Sequence, residues 1–304
     1  MAVQSVVAII NGVSVTLNLN ASTGKYEGTL TAPAASSWNE EDHKYGITVT
    51  ATDDAGNKTT VNRDDAALGD NLQVRVLEKT KPTIAITSPS SGARVTNAKQ
   101  PIVFQIRDSE SGIDIDTLTL KIDSQTAVKN GSAGMSAAAV SGGYNVTYTP
   151  QTALAEGAHT VTINVSDNDG NAATAASSSF TVDTVPPALN ISTPQNNLVT
   201  NTAKMTVSGT TSDATSNIAS IEVFLNNASQ GKATVSGNSW TKEITLANGV
   251  NTIKVVATDN AGLTSTVERT VTLDTGAPVI TDVVLSKSTV DAGNTFTITV
   301  TVTD

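Results

Sequence analysis

The residues of this chain best suited to chemistry are carboxylates placed in turns. Asp53, Asp167 and Asp259 each close an alternating apolar segment and open an Asp-x-x-Gly turn: Asp53-Asp-Ala-Gly56, Asp167-Asn-Asp-Gly170 and Asp259-Asn-Ala-Gly262. An Asp so placed has two roles open to it. Its oxygens can accept hydrogen bonds from the N–H groups of their own turn, or they can join other oxygens around a hard cation. Asp169 lies in the second turn, and Asp183 and Asp274 lie in Pro-bearing junctions between repeats, where Glu78 takes the corresponding place ahead of Pro82. Asp167, Asp169, Asp183 and Asp274 are therefore the candidate cation ligands, although no junction carries a dense run of acids.

Catalysis has little to work with. The two histidines, His43 and His159, fall in different repeats, and His159 aligns with Tyr45 and Asn251 at the start of a strand, so neither is placed as a shared general base. No Gly-x-Ser-x-Gly elbow, His-Glu-x-x-His pair or phosphate-binding loop occurs. With no cysteine there is no thiol chemistry, disulfide or Cys-based zinc site. We expect a non-enzyme with no cofactor beyond calcium. Tyr26, Tyr144 and Trp240 open the fifth strand of each repeat and read as packing residues. Trp38 and His43 differ, because they sit in an insertion peculiar to the first repeat, Ala32–His43. That insertion is the place to look for a binding surface, with Trp38 serving either as a contact residue or as a plug folded inward.

The elements that carry these residues repeat. Residues 45–57, 159–171 and 251–263 are versions of one alternating strand and its hairpin, with 114 residues from Asp53 to Asp167 and 92 from Asp167 to Asp259. Such spacings suit small β-sandwiches rather than solenoid repeats. The junctions around Pro82, Pro186-Pro187 and Pro278 divide the chain into 1–79, 80–183, 184–275 and 276–304. In 184–275 the alternation predicts strands at 188–193, 203–209, 218–226, 232–236, 239–246, 251–258 and 265–273, separated by Asn- and Gly-rich turns. Residues 131–140 are the one weak helical candidate, and they read better as a loop or poor strand.

The Thr-Asp-x-Ala-Gly-Asn hairpin, the Asp-Thr-x-x-Pro-Pro junction and the Pro89 to Val95 opening resemble tandem bacterial immunoglobulin-like repeats. The resemblance covers essentially the whole chain. It implies an all-β fold, tandem immunoglobulin-like sandwiches in an extended array, and a role as a structural or binding arm. Repeats of this kind occur in phage tail proteins, in cell-surface adhesins and in accessory regions of secreted enzymes, and some adhesin repeats bind calcium at domain junctions.

Residues 2–12 align with 217–227, the third strand of their repeat, so 1–79 reads as a module without its first two strands. Residues 276–304 read as the first two strands of a further module. Either the sequence is a window on a longer array, or 276–304 completes 1–79 in another copy.

A net charge of −10 and a pI near 4.6 argue against a nucleic-acid partner, since such binding uses clustered Lys and Arg. No apolar run is long enough to insert into a membrane, and Met1–Gly12 lacks the basic region of a signal peptide. Together these predict an extracellular or virion-associated component, most readily a phage tail part, with adhesin stalk and enzyme accessory region as alternatives. Its expected partners are other copies or subunits of a larger assembly, and cell-surface glycan.

Overall fold

A computed structural model describes residues 2–304. The chain is nearly all β, with two complete β-sandwiches in tandem, and it forms two compact units, Met1–Val182 and Asp183–Asp304.

The first unit begins with β1 (Val3–Ile10), β2 (Val13–Asn20), β3 (Lys25–Glu27), β4 (Tyr45–Asp53), β5 (Lys58–Val61) and β6 (Gln73–Val74). They form one sheet in the order β3-β2-β1-β4-β5, with β6 against β4. Its buried core is small, comprising Ile10, Tyr45 and Val76. The same unit continues with β7 (Thr83–Ser88), β8 (Ala93–Val95), β9 (Ile102–Arg107), β10 (Ile113–Ile122), β11 (Val128–Lys129), β12 (Met135–Val140), β13 (Gly143–Tyr148), β14 (Gly157–Asp167) and β15 (Ala176–Val182). These make two facing sheets, β11-β10-β14-β15-β8 and β12-β13-β9-β7, around Phe104, Leu118, Leu120, Ile163 and Phe180. The weak helical candidate at 131–140 holds strand β12.

The second unit repeats this plan with β16 (Ala188–Thr193), β17 (Leu198–Thr200), β18 (Lys204–Ser212), β19 (Ile218–Leu225), β20 (Ala228–Lys232), β21 (Thr234–Ser236), β22 (Ser239–Thr245), β23 (Gly249–Asp259) and β24 (Thr264–Leu273). Its sheets are β16-β18-β22-β21 and β17-β24-β23-β19-β20. Trp240 fills the core beside Gly209, where an added Cβ would lie 1.9 Å from the Asn190 carbonyl oxygen and 2.8 Å from the Trp240 ring. The absence of a side chain at 209 is what lets β16 and the indole approach β18. A two-stranded hairpin follows, β25 (Val279–Leu285) and β26 (Ile298–Thr303).

Strand alternation positions the site. Every second residue of β14 faces inward, so His159, Val161, Ile163, Val165 and Asp167 form one buried row. In β23 the row is Asn251, Ile253, Val255, Ala257 and Asp259. The period that buries the aliphatic residues thus also carries one carboxylate inward at the end of each sandwich.

Strand β1 pairs with β4 in the register in which β19 pairs with β23. Val3 opposes Asp53, and after a bulge Ser5 opposes Thr52; likewise Ile218 opposes Asp259, and after a bulge Ser220 opposes Thr258.

Candidate metal centre

Two groups of three carboxylates lie at corresponding places in the two complete sandwiches. Glu78, Asp108 and Asp167 form one, and Asp183, Asp213 and Asp259 the other; in each, one oxygen per residue lies within 4.8 Å of the others. The members come from the same three sources: the segment leading into the first strand, the turn after the second inner strand, and the hairpin after the sixth. Asp108 follows Glu78 by 30 residues, and Asp213 follows Asp183 by 30.

Within each group the two carboxylate oxygens divide their work. Asp108 Oδ1 accepts from the N–H groups of Glu110 (3.0 Å) and Gly112 (2.8 Å), and Asp213 Oδ1 from those of Thr215 (3.1 Å), Ser216 (2.6 Å) and Asn217 (2.9 Å). Asp167 Oδ1 accepts from Asp169 and Asn171, and Asp259 Oδ1 from Ala261 (2.8 Å) and Leu263 (2.9 Å). One oxygen therefore fixes the turn. The other is left over: Oδ2 of Asp108, Asp183 and Asp259 is buried with no hydrogen-bond partner. Those three residues are 6%, 0% and 1% exposed.

Three carboxylates brought together away from water repel one another strongly unless a proton or cation intervenes. The donors are all oxygen, without His or Cys, which fits a hard divalent cation such as calcium and not zinc. The fit is best in the second group. In the first, the Asn171 side-chain amide donates to Asp167 Oδ2 (2.8 Å) and Glu78 Oε1 (3.0 Å), and Ser111 Oγ donates to Glu78 Oε1 at 3.3 Å. Burial, and then the close contact with Asp167, push the Glu78 carboxyl above its usual range. In the second, Leu263 occupies the place of Asn171 and its side chain brings no donor.

The candidates read from sequence are distributed as follows. Asp167 joins Glu78 and Asp108, and Asp183 joins Asp213 and Asp259. Asp169 lies outside the first group: its Oδ2 accepts from Ser36 Oγ (2.6 Å) and the Glu78 N–H (3.1 Å), and its Oδ1 lies 3.6 Å from Arg75. Asp274 is exposed and its Oδ1 caps the Gly276 N–H at 2.9 Å. Asp53 is also capped locally, and the Asn57 side chain and backbone hold its carboxyl below the usual range. Glu78, Asp108 and Asp213 were not among the sequence candidates, and Asp259 was read first as a turn cap; the repeated 30-residue interval was the signal that could have found Asp108 and Asp213.

Trp38 and His43 stack face to face, with centroids 4.0 Å apart and planes 7° apart, and the Trp38 carbonyl contacts His43 Nδ1. Trp38 is half-buried. Around it the insertion is pinned to the neighbouring sandwich of the same unit, by Ser36 on Asp169 and by Asn39 Nδ2 on the Glu110 carbonyl at 3.1 Å.

At the far end of β14, His159 presents Nδ1 to Asp123 Oδ2 (2.7 Å) and Nε2 to the Ala155 carbonyl (2.9 Å). Both partners accept, an arrangement that favours the doubly protonated ring. Burial pulls the imidazole down, but the Ala155 carbonyl and the Asp123 carboxylate outweigh it and raise its pKa. Asn251 makes the same tie in the next sandwich, through Nδ2 to the Ala247 carbonyl at 2.7 Å.

Paired antiparallel sheets with buried inward rows define a class, the tandem immunoglobulin-like β-sandwich protein. Residues 75–184 match the model of the bacterial Ig-like domain, and residues 187–275 match glucodextranase domain B. The chain is a tandem immunoglobulin-like repeat protein, with a bacterial Ig-like domain over residues 75–184. Bacillopeptidase F of Bacillus subtilis (strain 168) is 31% identical over 131 residues, a match that spans 43% of this chain and 9% of that relative. Among solved structures, the fibronectin(III)-like modules of Clostridium thermocellum CbhA share 17% identity with a TM-score of 0.38, covering 63% of this chain and 94% of theirs. Protocadherin Gamma B2 extracellular cadherin domains 3–6 share 14% with a TM-score of 0.32, covering 90% and 68%. No helix among the described residues is long and apolar enough to cross a membrane.

Proposed function

We propose that the chain is a non-catalytic arm of immunoglobulin-like modules, working outside the cell, whose connecting segments are fastened to the sandwiches by calcium. The observation that carries this reading is the pair of buried, unpartnered oxygens on Asp183 and Asp259 beside Asp213. A cation held there ties residue 183, just beyond β15, to the two turns at the end of the sandwich that follows. Extracellular modules bind calcium at roughly 10⁻⁴–10⁻³ M, so a site of three carboxylates suits that setting.

The test is thermal unfolding with calcium and with a chelator. Calcium at about a hundred times its Kd stabilises by about 2.7 kcal/mol, which for a module of this size raises Tm by roughly 10 °C or more. Superimposable unfolding curves would remove the cation from the account.

Three settings suit such an arm. The matches to a glucodextranase domain and to Bacillopeptidase F favour an accessory region of an exported bacterial enzyme. A phage tail component or an adhesin stalk contacting surface glycan uses the same mechanics. Gene neighbours that encode virion proteins would favour the tail, and a catalytic domain in the same polypeptide would favour the accessory region.

A further inference from the structure

An open groove of about 440 Å³ runs between the 32–43 insertion and the middle sandwich, both within the first unit. Trp38 and Asn39 line it from the insertion. The turn of residues 108–112, Asn168, Tyr144 and the end of the β12–β13 hairpin line it from the sandwich. A volume of this order suits a small ligand or a short stretch of a longer one.

The lining is held in place by its own hydrogen bonds. Asn39 Nδ2 donates to the Glu110 carbonyl at 3.1 Å, and the Glu110 N–H donates to Asp108 Oδ1 at 3.0 Å. Asn168 Nδ2 donates to the Ser111 carbonyl at 2.8 Å, and the Asp108 N–H to the Gly142 carbonyl at 2.9 Å. Insertion, turn and hairpin are therefore tied together before any ligand arrives, which lowers the ordering cost of binding.

The chemistry of the lining narrows the ligand. It contains the carboxylates of Asp108 and Glu110 and no Lys, Arg or His, so it disfavours anions. Trp38 and Tyr144 are half-buried aromatic residues, each an apolar body with a polar tip. His43 covers one face of the Trp38 ring and leaves the other for a partner. Thr80 Oγ1 donates to Glu110 Oε1 at 3.1 Å, which leaves Oε2 uncommitted among the described residues. Asn168 keeps its Oδ1 as an acceptor, and the Ser109 hydroxyl is exposed. Flat rings beside amide, hydroxyl and carboxylate groups suit a molecule with apolar C–H faces and hydroxyl edges.

We propose that this groove binds an uncharged oligosaccharide, with one sugar ring laid on Trp38 and its hydroxyls donating to Glu110 Oε2 and Asn168 Oδ1. The proposal stands on the groove alone, so its failure leaves the calcium reading untouched.

Isothermal titration of the 304-residue chain with maltohexaose, cellohexaose, laminarihexaose and chitohexaose tests it, with spermidine as a cationic control. At least one sugar is expected to bind saturably and to shift the tryptophan emission. That shift reports Trp38, because the other tryptophan, Trp240, is 1% exposed in the core of the second unit. Trp38→Ala is expected to abolish binding. Glu110→Gln keeps the backbone carbonyl for Asn39 and a side-chain acceptor for Thr80, so it should unfold as the wild type does yet bind about tenfold more weakly. Failure of all four sugars to bind overturns the proposal, as does spermidine binding in their place. Sugar binding that both variants leave unchanged overturns it too.

Discussion

Asp183 and Asp259, far apart in sequence, meet at one end of the 184–275 sandwich, and the Oδ2 atom of each is buried without a hydrogen-bond partner. Their Oδ1 atoms are engaged in fixing turns, on the Val185 N–H at 3.3 Å and on the Ala261 and Leu263 N–H groups. The same side chains thus serve the fold with one oxygen and offer the other to a cation.

The two clusters should differ in how strongly they need a cation. The Asn171 side chain donates to two carboxylates of the first cluster, and the Leu263 side chain has no donor to offer the second. Leu263→Asn is expected to shrink the calcium-induced rise in Tm of the 184–275 sandwich, and Asn171→Leu to enlarge that of the 80–183 sandwich. Scanning calorimetry of each variant with calcium and with chelator checks both directions.

The His159–Asp123 pair predicts a pH dependence confined to the middle sandwich. The folded His159 pKa is raised above its unfolded value, so its stabilisation is full below about pH 6.5 and is lost as pH climbs through the folded value. Burial opposes ionisation of Asp123, but the Thr160 N–H and His159 hold its carboxyl below the usual range, so its share is lost only as pH falls through that lowered value. His159→Asn, copying Asn251, is expected to flatten the alkaline fall in Tm. A wild-type Tm that stays level from pH 6 into the alkaline range would contradict the tie.

Asp169 joins the insertion of the first module to the middle sandwich through Ser36 and the Glu78 N–H. Replacing it with Ala leaves those donors without their acceptor, at a cost of about 1–3 kcal/mol. Faster amide exchange across residues 32–43, with exchange in β18–β24 unchanged, is the expected signature.

Gly209→Ala is expected to destabilise the 184–275 sandwich by about 1–3 kcal/mol or more, since its Cβ meets the Asn190 carbonyl and the Trp240 ring at distances no relaxed packing allows. Urea unfolding followed by Trp240 fluorescence measures it.

Much of the fold is written in the alternation of polar and apolar residues. β16 spans 188–193 as expected, and the long strands β19, β22, β23 and β24 fall within two residues of theirs. The three-residue strand β17 escaped, because its pairing with β24 is parallel and too short to show a period. The hairpin acids were legible as turn caps, and Asp167 and Asp259 do cap their turns. Their grouping was not legible. Asp183 follows Asp167 closely in sequence, yet it joins the acids of the sandwich that follows, because a connecting segment packs where its backbone leads rather than beside its sequence neighbours.

The most direct test of the calcium reading is isothermal titration of calcium into the chelator-stripped chain, alongside Asp259→Asn, which keeps Oδ1 as the turn cap but removes the free carboxylate oxygen. The account predicts saturable binding to the wild type and the loss of one site in the variant, with the fold intact by circular dichroism. No heat of binding in the wild type, or an isotherm that Asp259→Asn leaves unchanged, would contradict it.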